Sequence, residues 1–560
     1  MHAVEIAACL RELAVYMRLE RDSDRARAYE RAARTVEAVH DLDRRVAEGT
    51  LLGLPGIGTS IARVVTELAR TGRLDTLDRL RKLWPATLVE LSRLPDVGTR
   101  RARILVEQLS PRDLDELLEM AKQGRVRELP GFGKSTESKL ITSLETRHER
   151  GTRRLLQDAR RVTSTLVEYL RLAPEAVQVH AAGEARRWIE IVDEIVVVVA
   201  TEQPAAIRAH VAHHPLVVEV ADGETAGIAV AHLSDGGLAR IHLAPPALLG
   251  ATQIIATGSP MHVSMLRQRA AAAGKQLETI EGLEGVVYAA LGLPWIPPEV
   301  RDGDDEITRG AAGERFDDLV TIADVTGAVH CHTTYSDGKH SIAQMAHAAE
   351  ERGLSFLTIT DHSHAAHYAG GLDDGRLREQ WKEIESAQAG TSVRLVRGTE
   401  SDILVDGSLD FSHETLTALE IVIASVHNRH KLDEDAMTQR LVTAMRQPLF
   451  KIWGHALGRL VLRREPFACR FDDVLDAIVE SPAAIEINGD PHRLDLDPAR
   501  VRKAHARGVR FVLSSDAHST DNLDYLENAV AMARRARLRP ADILNTLPPD
   551  EFLEAVRPVR

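Results

Sequence analysis

Hydrophobic and polar positions follow three different patterns along this chain. Through residues 1–150 they keep the helical period, TSIARVVTELA being a clear case, in segments rich in Ala, Leu, Arg and Glu, so this stretch reads as nearly continuous helix. Residues 151–295 change to one helical segment, LLQDARRVTSTLVEYLRL, followed by five strand candidates, VQVHAAG, EIVVVVA, LVVEVA, IAVAHL and ARIHLA. A polar, turn-rich stretch, PPEVRDGDDEITRGAAGE, then marks a boundary. Beyond it come seven short apolar runs, each stopping at a histidine or carboxylate: VHCH, FLTITDH, RLVRGTE, IVIASVH, FKIWGH, AAIEINGD and RFVLSSDAH. Such runs suit buried parallel strands. A barrel of parallel strands brings every strand C-terminus to one face, so metal-ligating side chains scattered from His330 to His518 can meet there.

The helical part is punctuated by three related motifs, LPGIG (Leu54 to Gly58), LPDVG (Leu94 to Gly98) and LPGFG (Leu129 to Gly133). Their spacing, roughly 35–40 residues, marks an internal repeat. Glycines at the turn of a helical hairpin let backbone N–H groups of the next helix face outward, where they and the helix dipole can hold a phosphate. The motifs resemble the helix-hairpin-helix signature of non-sequence-specific DNA-binding elements in repair enzymes, and that resemblance makes Gly56, Gly58, Gly98, Gly131, Gly133 and Lys134 the candidate DNA contacts. Asp96 stands where the other copies have glycine and adds a negative charge beside the second site.

Size and charge alter this picture only at its edges. A chain of 560 residues is too long for one core and implies several domains. The net charge of −13 speaks against a generally basic nucleic-acid binder, but residues 1–150 carry 27 Lys and Arg against 24 Asp and Glu, so the acidity lies elsewhere. Part of it belongs to carboxylates that bound metals would neutralise. No 18-residue apolar run and no N-terminal signal is evident, so a cytoplasmic protein without a membrane partner is expected. Cys9, Cys331 and Cys469 lack CxxC spacing, which excludes a disulfide framework and a thiolate zinc finger.

Taken in order, ARAYERAAR, the hairpin motifs, AAGEARR, ATGSPMH, LGLPWIPPEVR and the ligand set resemble a bacterial family X DNA polymerase fused to a PHP (polymerase and histidinol phosphatase) domain. The resemblance covers nearly the whole chain. It implies an all-α helix-hairpin-helix part, an α/β nucleotidyltransferase-like palm and a distorted (β/α)7 PHP barrel. The expected division is a DNA-binding domain at 1–85, a fingers-like domain at 86–150, the palm at 151–240, its end and a thumb-like domain at 241–300, a linker at 301–322 and the barrel at 323–560. Residue by residue, the PHP pattern falls on His330, His332, Asp337, His362, Glu400, His427, His455, Asp516 and His518. The resemblance implies two or three divalent ions there, and imidazole with carboxylate suits Zn²⁺, Mn²⁺ or Fe²⁺ better than Mg²⁺. Glu400 is the candidate bridging carboxylate, with Asp337 and Arg459 as further catalytic candidates, Arg459 as a reader of phosphate. Lys339, Arg429 and Arg493 are weaker candidates of the same kind, and Glu486, Asn488 and Asp490 are expected to support the ligands.

The palm departs from the family. Its Gly-Ser and Asp-x-Asp stand here as Gly183-Glu184 and Asp193-Glu194-Ile195, and its third carboxylate is His242. Neither isoleucine nor histidine serves a hard Mg²⁺ ion, so Mg²⁺ at the palm is doubtful and templated synthesis is expected to be lost. Val64 stands where animal relatives carry a Schiff-base lysine, so lyase chemistry by that route is unsupported. The expected function is a metal-dependent DNA phosphodiesterase, a 3'-to-5' exonuclease or 3'-end-processing enzyme acting on ends or gaps without sequence preference. The alternatives are an active gap-filling polymerase with that exonuclease and a small-molecule PHP phosphatase.

Overall fold

In the computed structural model the seven apolar runs become the seven strands of one closed, all-parallel barrel. The structure describes residues 3–558 apart from 21, 38, 40–41, 85–87, 89–90, 93–96, 146–152 and 224. Two compact units divide the chain: Met1–Gly258 with Val263–Leu291, and Ser259–His262 with Gly292–Arg560.

The first unit opens with helices, among them Ala3–Leu19, Ser23–Glu37, Thr59–Thr71, Gly98–Leu109, Leu114–Lys122 and Lys134–Glu145. Their apolar stripes meet in one core; Ile6, Leu10, Leu13, Val65, Leu105 and Leu117 are at most 1 % exposed. The five strand candidates then fold as read: β2 (Gln178–Ala182), β4 (Ile195–Ala200), β5 (Val217–Asp222), β6 (Ile228–Leu233) and β7 (Leu238–Ala244) form a sheet of order β2-β4-β7-β6-β5. Only β4 and β7 run parallel; the other neighbours are antiparallel. A separate two-residue pairing joins β1 (Arg154–Leu155) to β3 (Ile191–Val192).

In the second unit, β8 (Gly327–Cys331), β9 (Phe356–Ile359), β10 (Arg394–Asp402), β11 (Ile421–Ser425), β12 (Lys451–Trp453), β13 (Ala483–Asn488) and β14 (Phe511–Ala517) follow one another around the barrel in chain order. Alternate residues of a strand share a face. Each inward row is apolar near its start and chemical near its end: Val396 then Glu400 on β10, Ala484 then Glu486 on β13, Val512 then Asp516 on β14. The apolar layer packs on the C-terminal helix Pro549–Val556, whose Phe552 ring stacks on Phe356 at 4.4 Å. The barrel is thus sealed at the N-terminal ends of its strands, and its functional side chains gather at the other end.

Residues 301–322, expected to form a linker, are folded instead. Arg301 and Glu306 are fully buried, as are Phe316, Leu319 and Val320 to within 2 %. Glu306 lies 2.6 Å from the His262 imidazole and accepts the Gly303 N–H at 2.9 Å. The charges that read as a solvated stretch are satisfied inside the unit, Asp305 by Arg537.

Candidate metal centre

The nine sequence-derived ligands meet at the C-terminal ends of the barrel strands. They form four overlapping groups: His332, Asp337, His362 and His518; His330, His332 and Asp516; His330, Glu400 and His455; and His362, Glu400 and His427. Within each group one ligand atom per residue lies within 4.8 Å of the others. Glu400 belongs to two groups, with its oxygens 2.8 Å from His362 Nδ1, 2.8 Å from His455 Nε2 and 3.2 Å from both His330 Nε2 and His427 Nε2.

Regular strands do not produce this convergence unaided. The register of β8 shifts between Ala328 and Cys331, and that of β14 between Ser514 and Ala517. His330 and Asp516 sit in these irregular segments with φ of 64° and 48°, and His455 just past β12 has φ of 26°. Left-handed backbone at non-glycine residues is costly and is retained where it aims a side chain. The shift lets Val329 face the apolar layer while its neighbour His330 also faces inward.

Carboxylates beyond the nine orient the imidazoles. Glu486 Oε1 lies 2.5 Å from His330 Nδ1, leaving His330 Nε2 toward Glu400. Asn488 donates to both Glu486 and Asp516, at 3.1 and 3.2 Å. Asp402 lies 3.1 Å from His427 Nδ1 and so fixes that ring. Asp361, although it ends a strand run, turns away from the cluster: it accepts the Thr333 N–H at 2.8 Å and Gln380 Nε2 at 2.6 Å, holding the loop that carries Asp337. Sequence reasoning counted Asp361 among the run ends and gave Asp402 no role; alternation after Glu400 was the one available signal for Asp402.

Burial opposes charge throughout, and the balance differs by neighbour. Burial pushes His332 down to about 3, helped by the nearby His518 and His362. For His362 the Glu400 and Asp337 carboxylates outweigh burial and raise it to about 10; His518, beside Asp337 and Asp516, rises to about 9. Despite burial, Glu400 is held well below the ordinary carboxylate range by His427, His330 and His362. His330 Nε2, both ring nitrogens of His332, His362 Nδ1, His427 Nε2 and Glu400 Oε2 are buried without a well-formed hydrogen bond. Orphaned imidazole nitrogens and carboxylate oxygens converging in this way fit divalent cations of intermediate softness, so the residues present suit the implied metals. Asp337 and His518, with side chains 35 % and 31 % exposed, mark the side open to solvent; the other seven are at most 6 % exposed.

Arg459 is held by backbone carbonyls. Its Nε donates to the Arg493 carbonyl at 2.7 Å and its Nη2 to the Leu494 carbonyl, so its donors hold a loop rather than offering themselves to a phosphate. That loop turns Arg493 inward, with Nε 3.1 Å from Asp516 Oδ2. Through this loop Arg459 holds the backbone of Arg493 in place. Lys339 is exposed, and its backbone N–H donates to the His518 carbonyl at 2.8 Å.

In the parallel register of the palm Val196 pairs with Arg240 and Val198 with His242, while Ile195 pairs with Ala239. His242 consequently shares its face with Val196, Val198 and the preceding Glu194, and Ile195 points to the opposite face, fully buried. The residues on the face of His242 are Glu194 and Val196, whereas Asp193 precedes the strand and Ile195 is in the core. Both oxygens of Glu194 are taken by Arg240, at 2.5 and 3.0 Å. Asp193 lies 3.5 Å from Arg153, and its N–H donates to Glu184 at 2.8 Å. Gly183 is tight against this strand: its φ is 67°, and a Cβ there would meet Val196 at 2.6 Å. His242 is pushed down to about 4 by burial and Arg240. A valine, a neutral imidazole and one neutralised carboxylate do not fit a pair of Mg²⁺ ions.

Two hairpin turns have matching geometry. Gly56 and Gly131 have φ of 76° and 84°, and the Ile57 and Phe132 N–H groups donate back to Leu54 and Leu129 at 3.2 and 3.0 Å. A Cβ at Gly58 or Gly133 would meet nothing within 4 Å, so no internal crowding demands glycine there. Gly98 begins its helix with φ of 60° and similarly open surroundings, but Leu94, Pro95 and Asp96 lie outside the described residues.

Comparison with known proteins places these modules. Residues 1–74 match a helix-hairpin-helix domain, residues 88–146 a SAM-like helix-hairpin-helix tandem, and residues 328–489 the PHP domain. The chain is thus a multidomain PHP protein with helix-hairpin-helix modules at its N-terminus, in which barrel closure adds Asp516 and His518 beyond the matched PHP segment. Over 97 % of its length it is 32 % identical to the DNA polymerase/3'-5' exonuclease PolX of Bacillus subtilis (strain 168), covering 97 % of that protein. It belongs to this bacterial PolX family. Over 39 % of its length it is also 28 % identical to proteins named probable phosphatase in Thermoanaerobacter sp. (strain X514) and Caldanaerobacter subterraneus subsp. tengcongensis, covering 89 % and 85 % of them. No helix among the described residues is long and apolar enough to cross a membrane.

Proposed function

We propose that this protein is a metal-dependent DNA phosphodiesterase that removes or trims 3' ends in DNA repair, and that its palm no longer synthesises DNA. The observation that carries the reading is the contrast between the two sites: nine candidate ligands converge in the barrel, whereas the acidic residue on the His242 face of the palm, Glu194, is paired with Arg240. In support, the PolX relative is named for both activities. Two or three ions of zinc, manganese or iron held by the nine residues would supply Lewis acidity toward a phosphoryl oxygen and lower the pKa of a water.

The chain's own residues do the rest. Glu400, common to two groups, would be the anion that lets like-charged ions sit close together. The Asp337 and His518 side is the entry for a phosphodiester, and Arg493 is the guanidinium that orients it. Gly56, Gly58, Gly98, Gly131, Gly133 and Lys134 bind the DNA backbone without reading sequence, through exposed N–H groups and one lysine.

Digestion of a 5'-labelled primer-template with Mn²⁺, with and without dNTPs, tests the proposal beside His330→Ala. Shortening that dNTPs do not reverse and that the variant lacks is the expected result; lengthening with dNTPs would restore the polymerase reading. The phosphatase relatives favour a second reading, in which the barrel acts on small phosphomonoesters. Turnover of p-nitrophenyl phosphate comparable to that of DNA would establish it.

A further inference from the structure

Beside the cluster stands a side chain that no part of the chemistry above uses. Tyr368 is 72 % exposed, yet its ring lies 6.2 Å from that of His362 and 6.3 Å from that of His427, two ligands of one group. Its place on the rim is fixed by the turn His367–Ala369, closed by Gly370 with φ of 69°. The turn is tied at both ends to ligand segments: the Ser363 N–H donates to the Glu400 carbonyl at 3.0 Å, and the Leu372 N–H to the His362 carbonyl at 2.8 Å. Within it, Asp410 accepts the Ala365 N–H at 2.7 Å, and Arg376 Nη1 donates to the Gly370 carbonyl at 2.7 Å. Gly371 has no room for a side chain, since a Cβ would lie 1.9 Å from the Ser363 oxygen.

A large ring carried on a pinned backbone turn stands in water without gaining burial. Such a ring is preorganised for a flat partner. A nucleobase sits one sugar away from its phosphate, and Tyr368 stands at a comparable remove from the ligands that would hold that phosphate. Stacking on an aromatic face is tolerant of sequence, as an enzyme working at arbitrary DNA ends requires. We infer that Tyr368 is the stacking platform for the base of the terminal nucleotide, a positioning and specificity-determining residue that favours ends carrying an intact base. The inference rests on the proposed DNA-end activity.

The test compares two labelled primer-templates, one ending in an ordinary 3' nucleotide and one in an abasic 3' residue, digested with Mn²⁺ by the full-length protein, Tyr368→Ala and Tyr368→Phe. Metal content measured on each variant keeps a lost cluster from passing for lost stacking. The parent should prefer the base-bearing end in kcat/KM by about tenfold, Tyr368→Ala should bring that ratio close to one, and Tyr368→Phe should keep it. Equal losses on both ends, or an unchanged ratio in Tyr368→Ala, would overturn the inference alone. A parent protein that degrades neither end would overturn the DNA reading and the inference with it.

Discussion

Glu486→Gln isolates what a carboxylate outside the ligand set contributes to metal affinity. Glutamine keeps the size and the acceptor oxygen of Glu486 but removes its charge. Glu486 and His330 are both fully buried, and the contact between them is 2.5 Å. A hydrogen bond to a charged group contributes about 1.5–3 kcal/mol and a neutral one about 0.5–1.5, so the substitution weakens the hold on the His330 Nδ1–H by roughly 1–2 kcal/mol. The same charge makes His330 Nε2 a better donor to a metal, and losing such a partner typically costs about 10–100-fold in affinity. Glutamine brings a second penalty, because its NH₂ group meets either His330 Nδ1 or the His455 N–H, both of which now face carboxylate oxygens. The expected result is at least tenfold weaker binding of Zn²⁺ or Mn²⁺, measured by competition with a chromophoric chelator. Affinity within threefold of the parent would refute the claim that Glu486 tunes His330. A parent protein binding no ion under the same conditions would refute the metal centre itself.

Three other perturbations reach different parts of the molecule. Lys451 is fully buried, its ammonium donating to the Met445 and Gln447 carbonyls at 2.7 and 2.6 Å, and burial pushes it from 10.5 down to about 8. A cation whose folded value is depressed costs stability below that value and recovers it as pH rises toward the unfolded one; relative to Lys451→Met, the parent should gain about 3 kcal/mol in denaturant unfolding between pH 7 and 10.5, and a constant difference would contradict this. Phe552→Ala removes the ring stacked on Phe356 beneath the barrel and should destabilise the second unit by about 3–5 kcal/mol, visible by calorimetry as a lowered Tm of one transition. Gly58→Glu with Gly133→Glu adds carboxylates where the protein has open space, so Tm should hold while affinity for DNA falls by about tenfold in anisotropy titrations; equal affinity would remove these turns from the DNA interface.

The period of the apolar runs was enough to read seven parallel strands with a histidine or carboxylate at the end of each, because alternation and burial are properties of single strands. What escaped the sequence depends on partners far away along the chain. Arg459 reads as a phosphate ligand from its place four residues beyond His455, but its destination was decided by the Arg493 and Leu494 carbonyls, which no local pattern announces. Residues 301–322 read as a linker because their charges look solvated; Glu306 is dry only because His262 and the Gly303 N–H meet it inside the unit.

The palm and the barrel show how far strand parity carries a functional argument. A one-residue shift flips every side chain to the other face. Read at Asp193 and Ile195, the palm keeps one carboxylate in register; the pairing of β4 with β7 puts Glu194 on the face of His242 and Ile195 in the core. The barrel uses the same rule in reverse, since the shifts in β8 and β14 break parity where His330 and Asp516 must turn inward. An irregular register in the barrel thus turns candidate ligands inward, while the regular one in the palm puts the apolar Val196 on the face of His242. The strain stored at φ of 64° and 48° has a use only if something binds between those side chains, whereas the palm face, closed by the Arg240–Glu194 pair and the packing of Val196 on Gly183, retains no comparable strain at its acidic position.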